Sequence, residues 1–310
     1  MLTIQDIDTP EPAADEILIR VHCSSVNRTD MGFLRGKPFI TRFFSGLLHP
    51  RHTALGCEFA GEVVEAGDAV TKFSAGDRVF GYDDRRWGGH AEFKTIGQGK
   101  SVATIPDGIT YEQAAASTEG AHYALANIRA AKVQLGTRVL VHGATGAIGS
   151  AAVQLLEHAG AHVVATSNTR NLALVSSLGP DRVIDWERED FTACGERFDL
   201  VFDAVGKSSF GACKPLLAVH GVYVSTELGP MAQNPVFGLM SPLFKRAGAK
   251  RVLFPIPLCN QEMIEFLRDR LTDGAFRPVI DRVHPLDDIV EAFEYVETGQ
   301  KTGNVVIRVS

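Results

Sequence analysis

The 310-residue sequence is sparing in several ways, and each scarcity excludes something. It has five cysteines (Cys23, Cys57, Cys194, Cys213, Cys259), an odd number with no Cys-x-x-Cys pair. That excludes a disulfide scaffold and suits a reducing compartment. No apolar run approaches the ~18 residues that span a bilayer. The opening stretch MLTIQDIDTPEPAADE is acidic, without the basic and apolar regions of a leader. Positive charge is in the minority: 31 Lys and Arg against 37 Asp and Glu leave −6. Bulk electrostatics therefore does not draw the chain to nucleic acid, and the local basic cluster at 244–246 with Lys250 and Arg251 reads as a solvated face. The expectation is a cytoplasmic protein with neither a membrane nor a nucleic-acid partner. A hydrophobic fraction of 45% and a charged fraction of 22% are ordinary for a folded chain, and the length suits two domains of ~100–200 residues each.

The pattern changes once along the chain. The first hundred residues alternate apolar and polar positions in short runs, at 16–22, 58–64 and 78–80, punctuated by glycine and aspartate. Such spacing suits a small barrel or sandwich. From Arg138 onward, apolar runs at 138–142, 162–166, 182–184, 199–202, 222–225 and 251–254 alternate with helical patterns, notably 148–159 and 172–178. Six such strands with helices between them imply right-handed βαβ units and a doubly wound α/β fold with a six-stranded parallel sheet. After Leu258 come a helix over 261–271, a turn at Asp273-Gly274, a short strand, a helix over 286–296 and a last strand over 304–309.

The most informative stretch is Val139-Leu140-Val141-His142-Gly143-Ala144-Thr145-Gly146-Ala147-Ile148-Gly149. A strand runs into Gly-x-x-Gly-x-x-Gly and then into an amphipathic helix. In a dinucleotide site, Gly143 makes the tight turn, Gly146 lets the backbone approach a pyrophosphate, and Gly149 lets helix pack on strand. The pyrophosphate then rests on the N–H groups of residues 143 to 148 at the positive end of the helix. About 20 residues further on, NAD sites carry an acid for the ribose 2′-hydroxyl. Here that strand ends Ser167-Asn168-Thr169-Arg170. Hydroxyls and a guanidinium suit a 2′-phosphate, so NADP(H) is the expected cofactor, with Ser167, Thr169 and Arg170 as contacts. The bland alternative for Arg170 is a solvated residue that opens a helix.

With these residues in view, the chain resembles the medium-chain dehydrogenase/reductases, specifically their zinc-free, quinone-oxidoreductase-like branch. The resemblance runs over nearly the whole chain. It is carried by Ser25-Val26-Asn27-Arg28-Thr29-Asp30, Gly56-Cys57-Glu58-Phe59-Ala60-Gly61, Gly76-Asp77-Arg78-Val79-Phe80-Gly81, the glycine loop, Val183-Ile184-Asp185-Trp186, Asp203-Ala204-Val205-Gly206 and Thr302-Gly303-Asn304. It implies a discontinuous GroES-like β-barrel domain, 1–108 with 261–310, and a Rossmann domain, 109–260, inserted between its parts. Nicotinamide and substrate would lie in the cleft, and two copies would pair through the strand at 251–254 as a homodimer. Relatives usually begin one strand earlier, so the N-terminus looks short. Val205, Gly206, Glu227, Phe254 and Asn304 are the further cofactor contacts this family pattern implies.

Zinc-dependent relatives have Cys, His and Cys at the positions of Asn27, Cys57 and Thr118. Neither Asn27 nor Thr118 is a good zinc ligand, so no metal is expected. Without one, alkoxide formation has no promoter, whereas hydride addition to a small electrophile such as a quinone or conjugated carbonyl needs only positioning and hydrogen bonds to the developing oxyanion. Asn27 and His122 are the candidate catalytic residues by family position. His122 has two readings, a proton donor beside the nicotinamide or a histidine packed at the domain boundary. Tyr82 and Tyr123 are other conceivable donors, with Tyr82 read as part of a surface loop. Residues 31–34 and 40–44 suggest an apolar, partly aromatic pocket wall. The alternatives are a metal-free alcohol/ketone dehydrogenase and an NADP(H)-binding protein with little turnover.

Overall fold

The computed structural model describes residues 2–36, 54–228, 233–240 and 249–310. The expectations at 40–44 and 244–246 lie outside the described residues. The chain divides into two units, Met1–Glu119 with Cys259–Ser310, and Gly120–Leu258. The seam expected at 108/109 thus falls eleven residues before this division, and residues 109–119 lie with the first unit.

In the first unit, β1 (Glu16–Val26) is the hub. It pairs antiparallel with β2 (Glu58–Ala66) and with β4 (Phe93–Gly97). The sheet continues through β3 (Arg78–Tyr82) to β5 (Val102–Thr104). Inward residues Ile17, Ile19, Val21, Phe59, Val63, Val79 and Val102 form its core. Tyr82 closes β3 at 2% exposure rather than lying on a surface loop.

The second unit is the parallel sheet. Its strands are β6 (Arg138–His142), β7 (His162–Ser167), β8 (Arg182–Asp185), β9 (Phe198–Asp203), β10 (Leu217–Ser225) and β11 (Arg251–Leu253). Their order is β11-β10-β9-β6-β7-β8, and every pairing is parallel. Numbered within the sheet this is 3-2-1-4-5-6 read from the β8 edge, the doubly wound order with its switch point between β6 and β9. Strands covered on both faces are apolar almost throughout. Leu140, Val164, Ile184, Phe198, Val201 and Tyr223 accordingly share one core, each fully buried. Burying a side chain of this size stabilises by about 1.5–3 kcal/mol.

The chain then returns to the first unit with β12 (Ile280–Pro285) and β13 (Asn304–Arg308). β13 pairs antiparallel with β1 at Cys23–Val26 and parallel with β12. The helix Ile289–Glu297 packs Ile289, Ala292, Phe293 and Val296 against Val26, Val305 and Ile307. Among the described residues no helix is long and apolar enough to cross a membrane.

Candidate functional site

The glycine loop lies at the switch point, directly after β6. Gly143 has φ +86°, and a Cβ there would sit 2.4 Å from Val205 of the loop after β9. The loops flanking the switch point therefore touch, which only glycine permits. A Cβ on Gly149 would meet the Gly143 carbonyl oxygen at 2.1 Å, so the helix Ala147–His158 is pressed onto the loop. Gly146 differs from both: nothing lies within 4 Å of the place its Cβ would take. It caps the helix, whose first turn contains no acid. The N–H groups opening that helix have no partner within it. Gly143 and Ala144 donate to Thr166 of β7 at 3.0 and 3.1 Å, which fixes the loop. The open cradle at Gly146 fits the pyrophosphate of a dinucleotide.

Asp203 organises the other side of the switch point. Fully buried at the end of β9, it accepts Val205 N–H (3.2 Å), Gly206 N–H (2.8 Å), Ser208 N–H (3.1 Å) and the Tyr223 hydroxyl (2.9 Å). A Cβ on Gly206 (φ +65°) would meet Glu227 Cγ at 2.3 Å, so Val205, Gly206 and Glu227 come together. A nearby pocket of about 200 Å³ is lined by Tyr123, Asn127, Ser225, Thr226 and the segment 254–257, which includes Phe254. His122 is buried beside Tyr123, the ring centroids 5.8 Å apart. Burial pushes its pKa down to about 4, so it is neutral at pH 7.

At the end of β7, Ser167 is buried, Thr169 half-buried and Arg170 exposed. Two acids, one ending the neighbouring strand β8 and one just after it, reach this turn, which strand-end reading missed. Thr169 donates its hydroxyl to Asp185 at 2.6 Å and its N–H to Glu187 at 2.9 Å. Trp186 between them is half exposed.

The first unit holds a different arrangement, centred on Glu58, a residue the sequence reading did not single out. Its buried carboxylate accepts five hydrogen bonds. Oε2 takes the Ser25 hydroxyl and the Asn27 amide (2.6 Å). Oε1 takes Thr118 N–H (3.1 Å), the Thr118 hydroxyl (2.6 Å) and Glu119 N–H (2.5 Å). Asn27 also donates to Ser25 Oγ at 3.0 Å and begins the helix Arg28–Arg35, its own N–H bonded to Asp30 at 2.8 Å. The metal-holding positions of zinc-dependent relatives are thus filled at Asn27 and Thr118 by groups that donate to Glu58. They do not fit a zinc ion. Asn304 lies in this unit too, at the start of β13, donating through both its N–H and its amide to Val279 O at 2.8 and 3.0 Å.

Beside Glu58, Asp30, Cys57 and Glu119 bring one oxygen, sulfur or oxygen each to within 4.8 Å of one another. Two carboxylates and a thiol are donor types that suit a cation. Burial, then the Glu119 charge, holds the Asp30 carboxyl well above the usual range. Burial and Glu58 push Glu119 up to about 7, and burial with Asp30 raises the Cys57 thiol. The thiol donates to Glu119 at 3.4 Å, and Thr29 donates to the other oxygen of Glu119. Burial thus favours the protonated forms throughout this cluster.

Comparisons with known proteins agree with this architecture. Residues 13–124 match the family model described as alcohol dehydrogenase GroES-like domain, and residues 178–307 the one described as zinc-binding dehydrogenase. A 2-methylene-furan-3-one reductase of Solanum lycopersicum is 31% identical over 97% of this chain and 74% of its own length. An NADPH-dependent alkenal/one oxidoreductase of Arabidopsis thaliana, named as chloroplastic, is 28% identical over 97% of this chain and 74% of its own. The solved quinone oxidoreductase of Coxiella burnetii superposes with a TM-score of 0.86 at 27% identity, covering 99% of this chain and 95% of that one. With its GroES-like unit, its 3-2-1-4-5-6 sheet and a relative 31% identical over 97% of this chain, the chain belongs to the medium-chain dehydrogenase/reductase superfamily, among its quinone-oxidoreductase-like proteins.

Proposed function

We propose that the protein is a metal-independent reductase that uses NADPH to reduce a quinone or an α,β-unsaturated carbonyl. The observation that carries the reading is the open glycine cradle at the switch point of the sheet, with Gly143 and Gly149 packed shut and Gly146 bare. The substrate class draws support from relatives whose names denote an enone, alkenals and enones, and quinones. The NADPH preference draws on the named cofactor of one relative and on Arg170 beside Ser167 and Thr169.

When bound, the nicotinamide supplies hydride to the electron-poor carbon, and a proton completes the product. The chain's residues do the rest. Residues 143–148 take the pyrophosphate, and Val205, Gly206, Glu227 and Phe254 form the nicotinamide side. By the family pattern, Asn304 is a further cofactor contact. Asn27 and His122 are proposed at the reacting end. Being neutral, His122 acts there through an N–H hydrogen bond to developing oxyanion rather than as an imidazolium. Metal independence is supported by the donors at Asn27 and Thr118 being turned onto Glu58. Free cysteines throughout suit the cytoplasm. The edge strand β11, paired among the described residues only with β10, suits pairing of two copies.

The test follows NADPH absorbance with a quinone, an enone and an aldehyde. Turnover with the first two supports the reading, and turnover with the aldehyde alone overturns it. Tight NADPH binding with no turnover across a broad panel would instead mark a nucleotide-binding module.

A further inference from the structure

In a βαβ dinucleotide unit the 2′ position of the adenosine ribose falls at the C-terminal end of the second strand, here Ser167 of β7. The residues after β8 are docked against that end, because Trp186 N–H donates to Ser167 O at 3.0 Å. From there two carboxylates claim both donors of Thr169. Asp185 accepts its hydroxyl at 2.6 Å, and Glu187 accepts its N–H at 2.9 Å. The two acids differ in freedom. Asp185 is buried, accepts Glu187 N–H at 3.1 Å, and faces the Arg188 guanidinium at 3.5 Å. Glu187 is exposed.

A phosphate seeks N–H and O–H donors and is repelled by carboxylates, whereas a ribose hydroxyl donates to a carboxylate. We propose that Glu187 sets the selectivity of this chain between a 2′-phosphate and a 2′-hydroxyl. With a plain ribose it keeps the Thr169 N–H and also accepts from the 2′-hydroxyl. A 2′-phosphate must displace it, taking the Thr169 N–H and pairing with Arg170. Asp185 stays in place, since moving it would break buried bonds, while Glu187 swings into solvent without opening the fold. The proposal rests on the dinucleotide reading above and qualifies its cofactor preference: the chain accepts both forms, with the phosphate form held back by one carboxylate.

The test uses nucleotide halves, so it reads binding rather than turnover. Affinities of 2′,5′-ADP and 5′-AMP are measured by calorimetry on the full chain, for the natural protein, Glu187→Gln and Glu187→Ala. Glutamine keeps an oxygen for the Thr169 N–H and removes only the charge, and both variants lie on the surface. Both are expected to bind 2′,5′-ADP roughly tenfold tighter, as loss of one partly screened charge beside a dianion requires, with 5′-AMP unchanged or weaker. If the ratio of the two affinities is the same in all three proteins, the Glu187 assignment falls while the dinucleotide reading stands. If neither nucleotide binds the natural protein, the dinucleotide reading falls and takes the assignment with it.

Discussion

The side-chain amide of Asn27 donates to Glu58 Oε2 at 2.6 Å, deep in the first unit where neither residue meets solvent to any extent. That bond gives Asn27 a definite task, fixing one wall of a carboxylate that Ser25, Thr118 and Glu119 complete. Glu58 is consequently the keystone joining β1, the start of β2 and residues 118–119.

Replacing that carboxylate with an amide should therefore be costly. In Glu58→Gln one acceptor oxygen becomes an NH₂ group aimed at a donor in a fully buried site. A loss of about 3 kcal/mol is expected for unfolding of the first unit, from one buried charged acceptor made into a clash of donors. Urea titration checks it, and a change below about 0.5 kcal/mol would show the five bonds to be worth little.

Metal removal separates two arrangements of the same region. With the donors of Asn27 and Thr118 committed to Glu58, dialysis against a strong chelator should leave NADPH-linked quinone reduction unchanged. Activity lost on dialysis and restored by added zinc would instead implicate Asp30, Cys57 and Glu119, whose donor atoms gather within 4.8 Å.

Two glycines of one loop should behave in opposite ways. A side chain at Gly149 meets the Gly143 carbonyl oxygen at 2.1 Å, so Gly149→Val is expected to cost about 1–3 kcal/mol of stability and to disturb the cradle. Gly146→Ala meets nothing, so its melting temperature should hold while NADPH affinity falls roughly tenfold, the methyl occupying space meant for phosphate. Thermal unfolding together with NADPH fluorescence titration reads both. Unaltered NADPH binding in Gly146→Ala would remove the pyrophosphate from that spot.

Acid should weaken the first unit through His90. Its Nε2 lies 2.8 Å from Ser25 O, and burial holds its pKa near 4 against an ordinary 6.5. The unfolded chain thus binds the proton first, and the stability contributed by neutral His90 is lost as pH falls from about 6.5 to about 4. Glu119 runs the other way over an overlapping range, since its raised pKa favours the protonated fold. The informative quantity is therefore the difference between the natural protein and His90→Gln. The natural protein's advantage should shrink on acidification through that window, and a difference independent of pH would clear His90.

How much of this was legible beforehand depends on where each signal resides. The β6–loop–helix unit was plain because strand, glycines and amphipathic helix are contiguous, and each glycine has a steric task that leaves no substitute. The six parallel strands followed from the alternation of apolar runs with helical patterns. Glu58 was passed over because a single acid at a strand entrance looks like any solvent-facing position. Its partners Ser25, Asn27, Thr118 and Glu119 come from 31 to 61 residues away, and the one local hint was its place beside Cys57 in a family motif. The contacts of Asp185 and Glu187 with Thr169 were hidden for a related reason: acids near the end of β7 are expected along that strand, and these two arrive sideways, from the end of β8 and just after it. The N-terminal β-rich domain was recognisable, but β4 and β5 were not, being short and framed by the polar stretch Gly97–Ser101.

The pairing of β1 with β13 sets a timetable for the nascent chain. β1 leaves the ribosome first and β13 last, with the whole of Gly120–Leu258 between them. The inserted parallel sheet is contiguous and can close while translation continues. β1, already flanked by β2 and β4, must leave its Cys23–Val26 end open on one side until residues 304–308 emerge, a wait on the order of seconds after the sheet's last strand. During that interval a strand end with unpaired N–H and C=O groups is exposed to other chains. Aggregation during synthesis should therefore start from the N-terminal unit, and holding β1 covered, rather than speeding the closure of the inserted unit, is what would raise the yield of folded protein.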